Sequence, residues 1–198
     1  MKTLIDIGAN IGQAIKPAIE YGFDKIICFE PSSACLERLK IFKSTARTEI
    51  VIHPYGLYNE TRTMTLYSPG TLSASVYADK CNVNVKLKEE CSFMKASNYF
   101  TTLNPLHNIF VKINVEGAEC AILEDLMKSG EINKIKHLFF HMDIEKIPSM
   151  KHLVAPLREK LKKYPKIHIL EKKQVSYDAT LPCPDGQLIA AWLKMCKE

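Results

Sequence analysis

The stretch "LIDIGANIG", Leu4–Gly12, sets the architecture of the chain. Its first half is an apolar run with too little alternation for a half-exposed strand, the pattern of a strand covered on both faces of a parallel sheet. An acid, Asp6, stands near its tip, and Gly8, Asn10 and Gly12 then mark a turn that admits close backbone approach. Open parallel sheets hold their ligands outside the carboxyl ends of the strands, and the turn from a first strand into its helix lies there. Working outward, "KIICFE" (Lys25–Glu30) repeats the buried-strand pattern and "EIVIH" (Glu49–His53) gives a third strand. "IGQAIKPAIEYG" has helical spacing, with Pro17 expected to kink or shorten the helix. "PSSACLERLKIFKST" follows with Ser32 or Ser33 as N-cap and Leu36, Leu39 and Phe42 on one face. Strand, helix, strand, helix, strand is the first half of a doubly wound α/β fold.

Beyond His53 the period changes. "TRTMTLY" and "NVNVKLK" alternate polar and apolar residues around "SPGTLSAS", which predicts an inserted β-hairpin over residues 58–95, lying on the carboxyl edge of the sheet. "SNYFTTL" predicts a short helix, "NIFVKINVEG" a fourth core strand, and "AECAILEDLMKSG" a helix closed by Gly130. "IKHLFFHMD" predicts a fifth strand. Residues 148–164 read as helical with a break near Pro156. "KIHILEK" and "QLIAAWLK" then supply two last strands around a turn at "LPCPDG". The pattern predicts a mostly parallel sheet in a single domain spanning residues 1–198.

At 198 residues and 46% hydrophobic, the chain is long enough for one well-covered core. Its apolar runs are too short to cross a bilayer and its first residues lack a signal-peptide pattern, so a soluble, intracellular, cytoplasmic protein is expected. Seven cysteines form no C-x-x-C pair and read as reduced, structural thiols. The net charge of +5 lies largely in residues 151–173, where lysines punctuate an amphipathic helix; a solvated helix face is a better account of them than a nucleic-acid surface.

The chemistry gathers at the strand tips. Gly8 and Gly12 let amides approach a ligand, and the helix behind them is expected to offer free N–H groups to a carboxylate or phosphate. Dinucleotide folds carry G-x-G-x-x-G; here Asn10 occupies part of the space a pyrophosphate needs. Glu30, ending the second strand, is placed to accept hydrogen bonds from both ribose hydroxyls of a nucleoside, and Asp6 to hold an ammonium group. A ligand that joins nucleoside, carboxylate and positive charge is S-adenosyl-L-methionine.

"DIGANIG", "FEPS" and above all "VKINVEGAECAILEDL" resemble the FkbM family of S-adenosylmethionine-dependent methyltransferases, whose marker is a K-I-D-V-E-G-x-E segment on the fourth strand. The resemblance runs from about Leu4 to Asp143, and "SPGTLSAS" resembles a serine-containing segment that the family carries. It implies a Rossmann-like class I methyltransferase with a seven-stranded sheet, the last strand antiparallel, and methyl transfer to oxygen, often a hydroxyl of a sugar or natural product. Matched by position, Asp6, Gly8, Asn10 and Gly12 fall in the cofactor loop, and Glu30, Pro31 and Ser32 in the turn that bears the ribose acid. One departure stands out: the family's aspartate is Asn114 here, a neutral amide that orients a hydroxyl or the cofactor but is a poor base.

Catalysis therefore falls to neighbours. Glu116, His141 and Asp143 are the residues near this edge that can accept a proton, and a positioned base contributes about a hundred- to ten-thousandfold. His141 suits the task through its ordinary pKa of about 6.5, although a lone histidine at a strand end is also a common core residue. Lys112, a charge inside an apolar strand, is expected to pair with Glu116 or Glu119. Glu119 and Glu124 read as first-turn and helix-surface charges. Glu116, His141 and Asp143 match no metal-ligand spacing, so no metal is expected. His53 and Tyr55 either edge the adenine pocket or pack.

The expected partner is a small-molecule or oligosaccharide hydroxyl acceptor. A first strand beginning at the third residue is the pattern expected of a domain from a larger glycan-building protein. Three rivals remain. A nicotinamide oxidoreductase is opposed by the missing third glycine, a nucleic-acid methyltransferase by the absence of N-P-P-Y or a recognition module, and a degenerate fold would carry Asn114 as the mark of lost chemistry.

Overall fold

A computed structural model of the chain describes residues 1–45, 48–175 and 184–196. The first half alternates as β1 (Lys2–Ile7), α1 (Ile15–Tyr21), β2 (Lys25–Phe29), α2 (Ser33–Thr45) and β3 (Glu49–His53). β4 (Gly56–Tyr58), β5 (Arg62–Tyr67) and β6 (Lys88–Lys95) follow as a separate three-stranded sheet. The second half comprises α3 (Ala96–Phe100), β7 (Asn108–Ile113), α4 (Glu119–Ser129), β8 (Ile135–Phe140), α5 (Val154–Leu161), β9 (His168–Glu171) and α6 (Pro184–Met195).

The main sheet has the order β3-β2-β1-β7-β8-β9, and its neighbouring pairs are parallel. It is a Rossmann-like α/β fold. Side chains alternate between its faces. Ile5, Ile7, Ile27, Phe29, Val111 and Ile113 join one core with α3, α4 and α5; Leu4, Ile26, Cys28, Ile50, Phe110 and Phe139 join a second core with α1, α2 and α6. Both faces are covered, which is why these strands read as continuous apolar runs. The cysteines of the described residues are free thiols, all but Cys81 buried. None of the described helices is long and apolar enough to cross a membrane.

Two expectations about the sheet are corrected. The seven-stranded sheet with an antiparallel last strand is not found among the described residues: the sheet has six strands in the order of dinucleotide-binding folds. "QLIAAWLK" is helix α6 rather than a strand, because Leu188, Ile189, Trp192 and Leu193 recur at helical spacing and bury together, with the Trp192 ring stacked on Phe139 at 5.3 Å between centroids. The rest of the expected turn at "LPCPDG", before Pro184, lies outside the described residues.

The insertion lies where expected but is built differently. β5 pairs antiparallel with β6 from Arg62↔Phe93 to Tyr67↔Lys88, and β4 adds a parallel strand on the other side of β6. "NVNVKLK" is not a strand. Asn84 pulls it into turns: its amide donates to Ser68 Oγ, its Oδ1 accepts from Lys86 N, and its carbonyl accepts from Leu87 N. The long β5–β6 connection, residues 68–87, is thereby folded back over the carboxyl edge of the main sheet.

Trp192→Ala should destabilise the protein by about 3–5 kcal/mol in urea unfolding, the cost of emptying a large buried site. Lys194→Ala, on the exposed side of the same helix, should change it little.

Candidate functional site

Asp6 and Lys112 face each other in register across β1 and β7. Lys112 Nζ lies 2.8 Å from Asp6 Oδ1 and donates to Gly8 O at 2.8 Å. Both side chains are buried, so the pair sits beneath the turn and fastens it. This corrects two expectations. Asp6 holds a lysine of its own chain rather than a ligand's ammonium group, and Lys112 pairs with neither Glu116 nor Glu119.

The turn itself is a dense backbone knot. Gly8 N and Ala9 N both donate to Phe29 O at 3.0 Å, and Asn114 N donates to Ile7 O at 3.0 Å. Gly8 has φ +79°, and a Cβ there would stand 2.0 Å from Asn114 O, so only glycine fits. Asn10, at φ +50°, donates from its backbone to Glu30 Oε2 at 2.7 Å, while its own Oδ1 accepts from Ile11 N at 2.7 Å. Ser32 N donates to Glu30 Oε1 at 2.9 Å. The amides of Asn10 and Ile11, in the loop between Gly8 and Gly12 where a close ligand approach was expected, are therefore spent inside the protein. α1 starts only at Ile15, with Pro17 in its first turn where a missing N–H costs nothing. Gly12 faces away, against Ile15, Phe42 and Leu39.

Above the turn lies a cleft of about 660 Å³, part of it open to solvent, between the carboxyl ends of β1, β2 and β7 and the insertion. Gly8, Asn10, Glu30, Pro31, Asn114 and Glu116 line it; Asp6, Gly12, Ser32, Lys112, His141 and Asp143 do not. The insertion contributes Leu57, Leu66, Thr71, Leu72, Val76 and Phe93. It is tied down by Asn10 Nδ2 to Thr71 O at 3.3 Å and by Glu89, which accepts from Ser33 N at 3.0 Å and Ser32 Oγ at 3.3 Å. Burial raises the Glu30 carboxyl above its ordinary range, opposed by the two amides it accepts. Asn114 Oδ1 is buried with no hydrogen-bond partner, an acceptor left open beside the cleft. His53 and Tyr55 do not line it; His53 stacks on Phe29 at 4.8 Å, and its Nδ1 shares a hydrogen bond of 3.1 Å with the Tyr55 hydroxyl.

A second group of charges lies at the ends of β7 and β8. Glu116 has φ +53° and a side chain 15% exposed, with Lys80 Nζ 2.8 Å from Oε2. Asp143 takes Lys146 at 2.6 Å and lies 3.7 Å from His141 Nδ1. Burial, and then Lys172, push the His141 ring down to about 3, so it stays neutral and holds a proton too weakly to serve well as a base near pH 7. Glu119, expected as a helix-surface or first-turn charge, stands in the first turn of α4 but is fully buried rather than exposed; Oε1 accepts from Gly117 N at 3.1 Å and Oε2 has no partner. Burial first, then repulsion from Asp143, carries its carboxyl to about 8. The described residues contain no group of His, Cys, Asp and Glu suited to a metal ion. Ser75 falls in the "SPGTLSAS" segment that the resemblance marks, but without a role, and Lys80 was passed over, since a lysine in a polar loop carries no signal until the loop is seen folded onto Glu116.

No family model and no curated protein matches the chain. Among solved structures it is similar to methyltransferase FkbM from Methylobacillus flagellatus KT, with a TM-score of 0.49 and 15% identity. The likeness covers 80% of this chain and 38% of that one, so the chain spans well under half of that protein's length. A likeness at this level assigns neither fold nor chemistry, and the site has to be read from its own residues.

The buried Glu119 carboxyl gives a pH test. Above the ordinary carboxylate value the unfolded chain releases this proton while the folded chain keeps it, so folding is increasingly penalised as pH rises to about 8 and no further beyond. Glu119→Gln, neutral throughout, should become more stable than the parent over that window, by on the order of a few kcal/mol at its upper end. Urea titrations at a series of pH values measure the difference.

Proposed function

We propose that the chain is an S-adenosylmethionine-dependent O-methyltransferase acting on a hydroxyl, with a sugar of a glycan as the favoured acceptor. The observation that carries this reading is a cleft over the β1 turn with Glu30, after β2, on one side and, after β7, the unpartnered Asn114 Oδ1 and Glu116 on the other. Each Glu30 oxygen accepts one amide and keeps lone-pair capacity for a ribose hydroxyl. Leu57, Leu66 and Phe93 offer an apolar wall to a purine. Asn114 Oδ1 suits an N–H or O–H donor of the ligand. Bound there, the cofactor supplies an activated methyl electrophile.

What remains for the protein is to hold the acceptor oxygen in line and take its proton. Glu116 is the group placed for the second task. Burial and the nearby Asp143 raise its carboxyl from the ordinary value, opposed by Lys80, and a base nearer the working pH shares a proton more effectively. The charged residues that line the described cleft, Glu30 and Glu116, are both acidic, which disfavours phosphorylated or carboxylated acceptors and leaves a neutral hydroxyl. The choice of a sugar rests on the resemblance of the segment around Lys112–Glu119 alone. A second reading, a nicotinamide-dependent oxidoreductase, is favoured by the strand order and opposed by Asn10 in the space of a pyrophosphate.

Calorimetry with S-adenosylhomocysteine and, separately, NAD decides between them. Heat from the first only is expected, with Glu30→Ala raising its dissociation constant at least about tenfold, or 1.4 kcal/mol; heat from NAD alone reverses the assignment. With labelled cofactor and a panel of neutral glycans, Glu116→Gln should lower turnover by about a hundredfold or more while S-adenosylhomocysteine binding stays intact.

A further inference from the structure

We infer that Lys80, carried in by the insertion, is a positioning residue that holds the Glu116 carboxylate charged and fixed at the cleft. The inference rests on the reading of Glu116 as the proton acceptor.

Lys80 is an unusual lysine. Its side chain is 0% exposed, yet all three ammonium donors have acceptors: Glu116 Oε2 at 2.8 Å, Ser73 O at 3.1 Å and Asn82 Oδ1 at 2.5 Å. It is a fixed point charge rather than a mobile surface cation. Its neighbours in the chain deliver it. Asp79 Oδ2 accepts from Ser149 N at 3.0 Å and Cys81 N donates to Lys146 O at 3.1 Å, so the residues on both sides are fastened to the segment after β8.

The partner is equally constrained. Glu116 is a non-glycine residue in the left-handed region, followed by Gly117 at φ +126°, where a Cβ would stand 2.2 Å from Ile147 Cδ1. Strained backbone beside a cleft persists only where its surroundings over-determine it. Here the insertion grips Glu116 twice: Ser75 Oγ donates to its carbonyl at 2.7 Å, and Lys80 holds its carboxylate. A clasp that merely closed the insertion onto the sheet needs no strained carboxylate at the cleft wall as its anchor.

Four charged groups face Glu116: Lys80 from the insertion, Asp143 and Lys146 from the turn after β8, and Glu119 from α4. Burial and Asp143 favour its protonated form, and Lys80 and then Lys146 favour the carboxylate. Removing Lys80 leaves a buried acid beside other acids, which keeps its proton and loses its capacity to accept one.

The test follows the Glu116 carboxyl carbon by NMR in the 198-residue chain labelled with [13C]glutamate, the signal assigned by Glu116→Gln. Lys80→Met should move the titration midpoint of Glu116 up by at least about one pH unit, Lys80→Arg should restore most of it, and S-adenosylhomocysteine binding should be unchanged in both. If Lys80→Met does not fold, Lys80→Gln replaces it with the same expected rise. An unmoved midpoint overturns the inference, as does loss of folding in all three variants, which assigns Lys80 to structure alone. A shifted midpoint in a protein whose parent binds no S-adenosylhomocysteine upholds the role of Lys80 and sinks the cofactor reading instead.

Discussion

The ion pair between Asp6 and Lys112 is the interaction on which the carboxyl edge depends. It joins the two central strands at their tips, and the same ammonium holds the Gly8 carbonyl, so one buried cation fixes both the strands and the turn above them. Burying two charges is expensive, and such a pair contributes little net stability over an apolar one of equal volume. Its value lies in geometry. With either partner gone the other would be left charged in a dry core, and with Lys112 gone the turn would also lose the anchor that holds the Gly8 carbonyl.

That anchoring changes how the site can recognise a ligand. Glycine turns in open sheets usually offer their amides to an anion, but here Phe29 O, Glu30 and the Asn10 side chain consume them. Recognition passes from backbone to side chains, to the spare lone pairs of Glu30 and the open Asn114 Oδ1. It also passes to the insertion, which roofs the cleft with apolar residues. The site is thus assembled from a rigid sheet edge and a separately folded cover, joined at Ser32, Thr71, Ser75 and Lys80.

Much of this was legible in the sequence where local pattern and burial agree. β1 and β2 are buried on both faces and read as apolar runs; the edge strand β3 is only partly buried, yet Glu49–His53 matches the observed strand at both ends. The positions of Gly8, Asn10, Glu30, Asn114 and Glu116 at the strand tips followed from their place after those runs. α6 was misread because its mean apolarity dominates a short segment, although Leu188, Ile189, Trp192 and Leu193 carry the helical period. The partners of charged residues were not legible. Lys112 lies one strand from Asp6 in space and far from it in sequence, and Lys80 reaches Glu116 only because a turn-rich loop folds over the sheet.

The central place of β1 also bears on how the chain is made. Its second neighbour is β7, and 104 residues separate Gly8 from the lysine that grips it. At about 5–20 residues per second, a ribosome needs roughly 5–20 seconds to supply that lysine after the glycine has emerged. Through that interval Asp6 stays hydrated and one side of the first strand goes without its ladder, an exposed edge of the kind that nascent-chain chaperones shield.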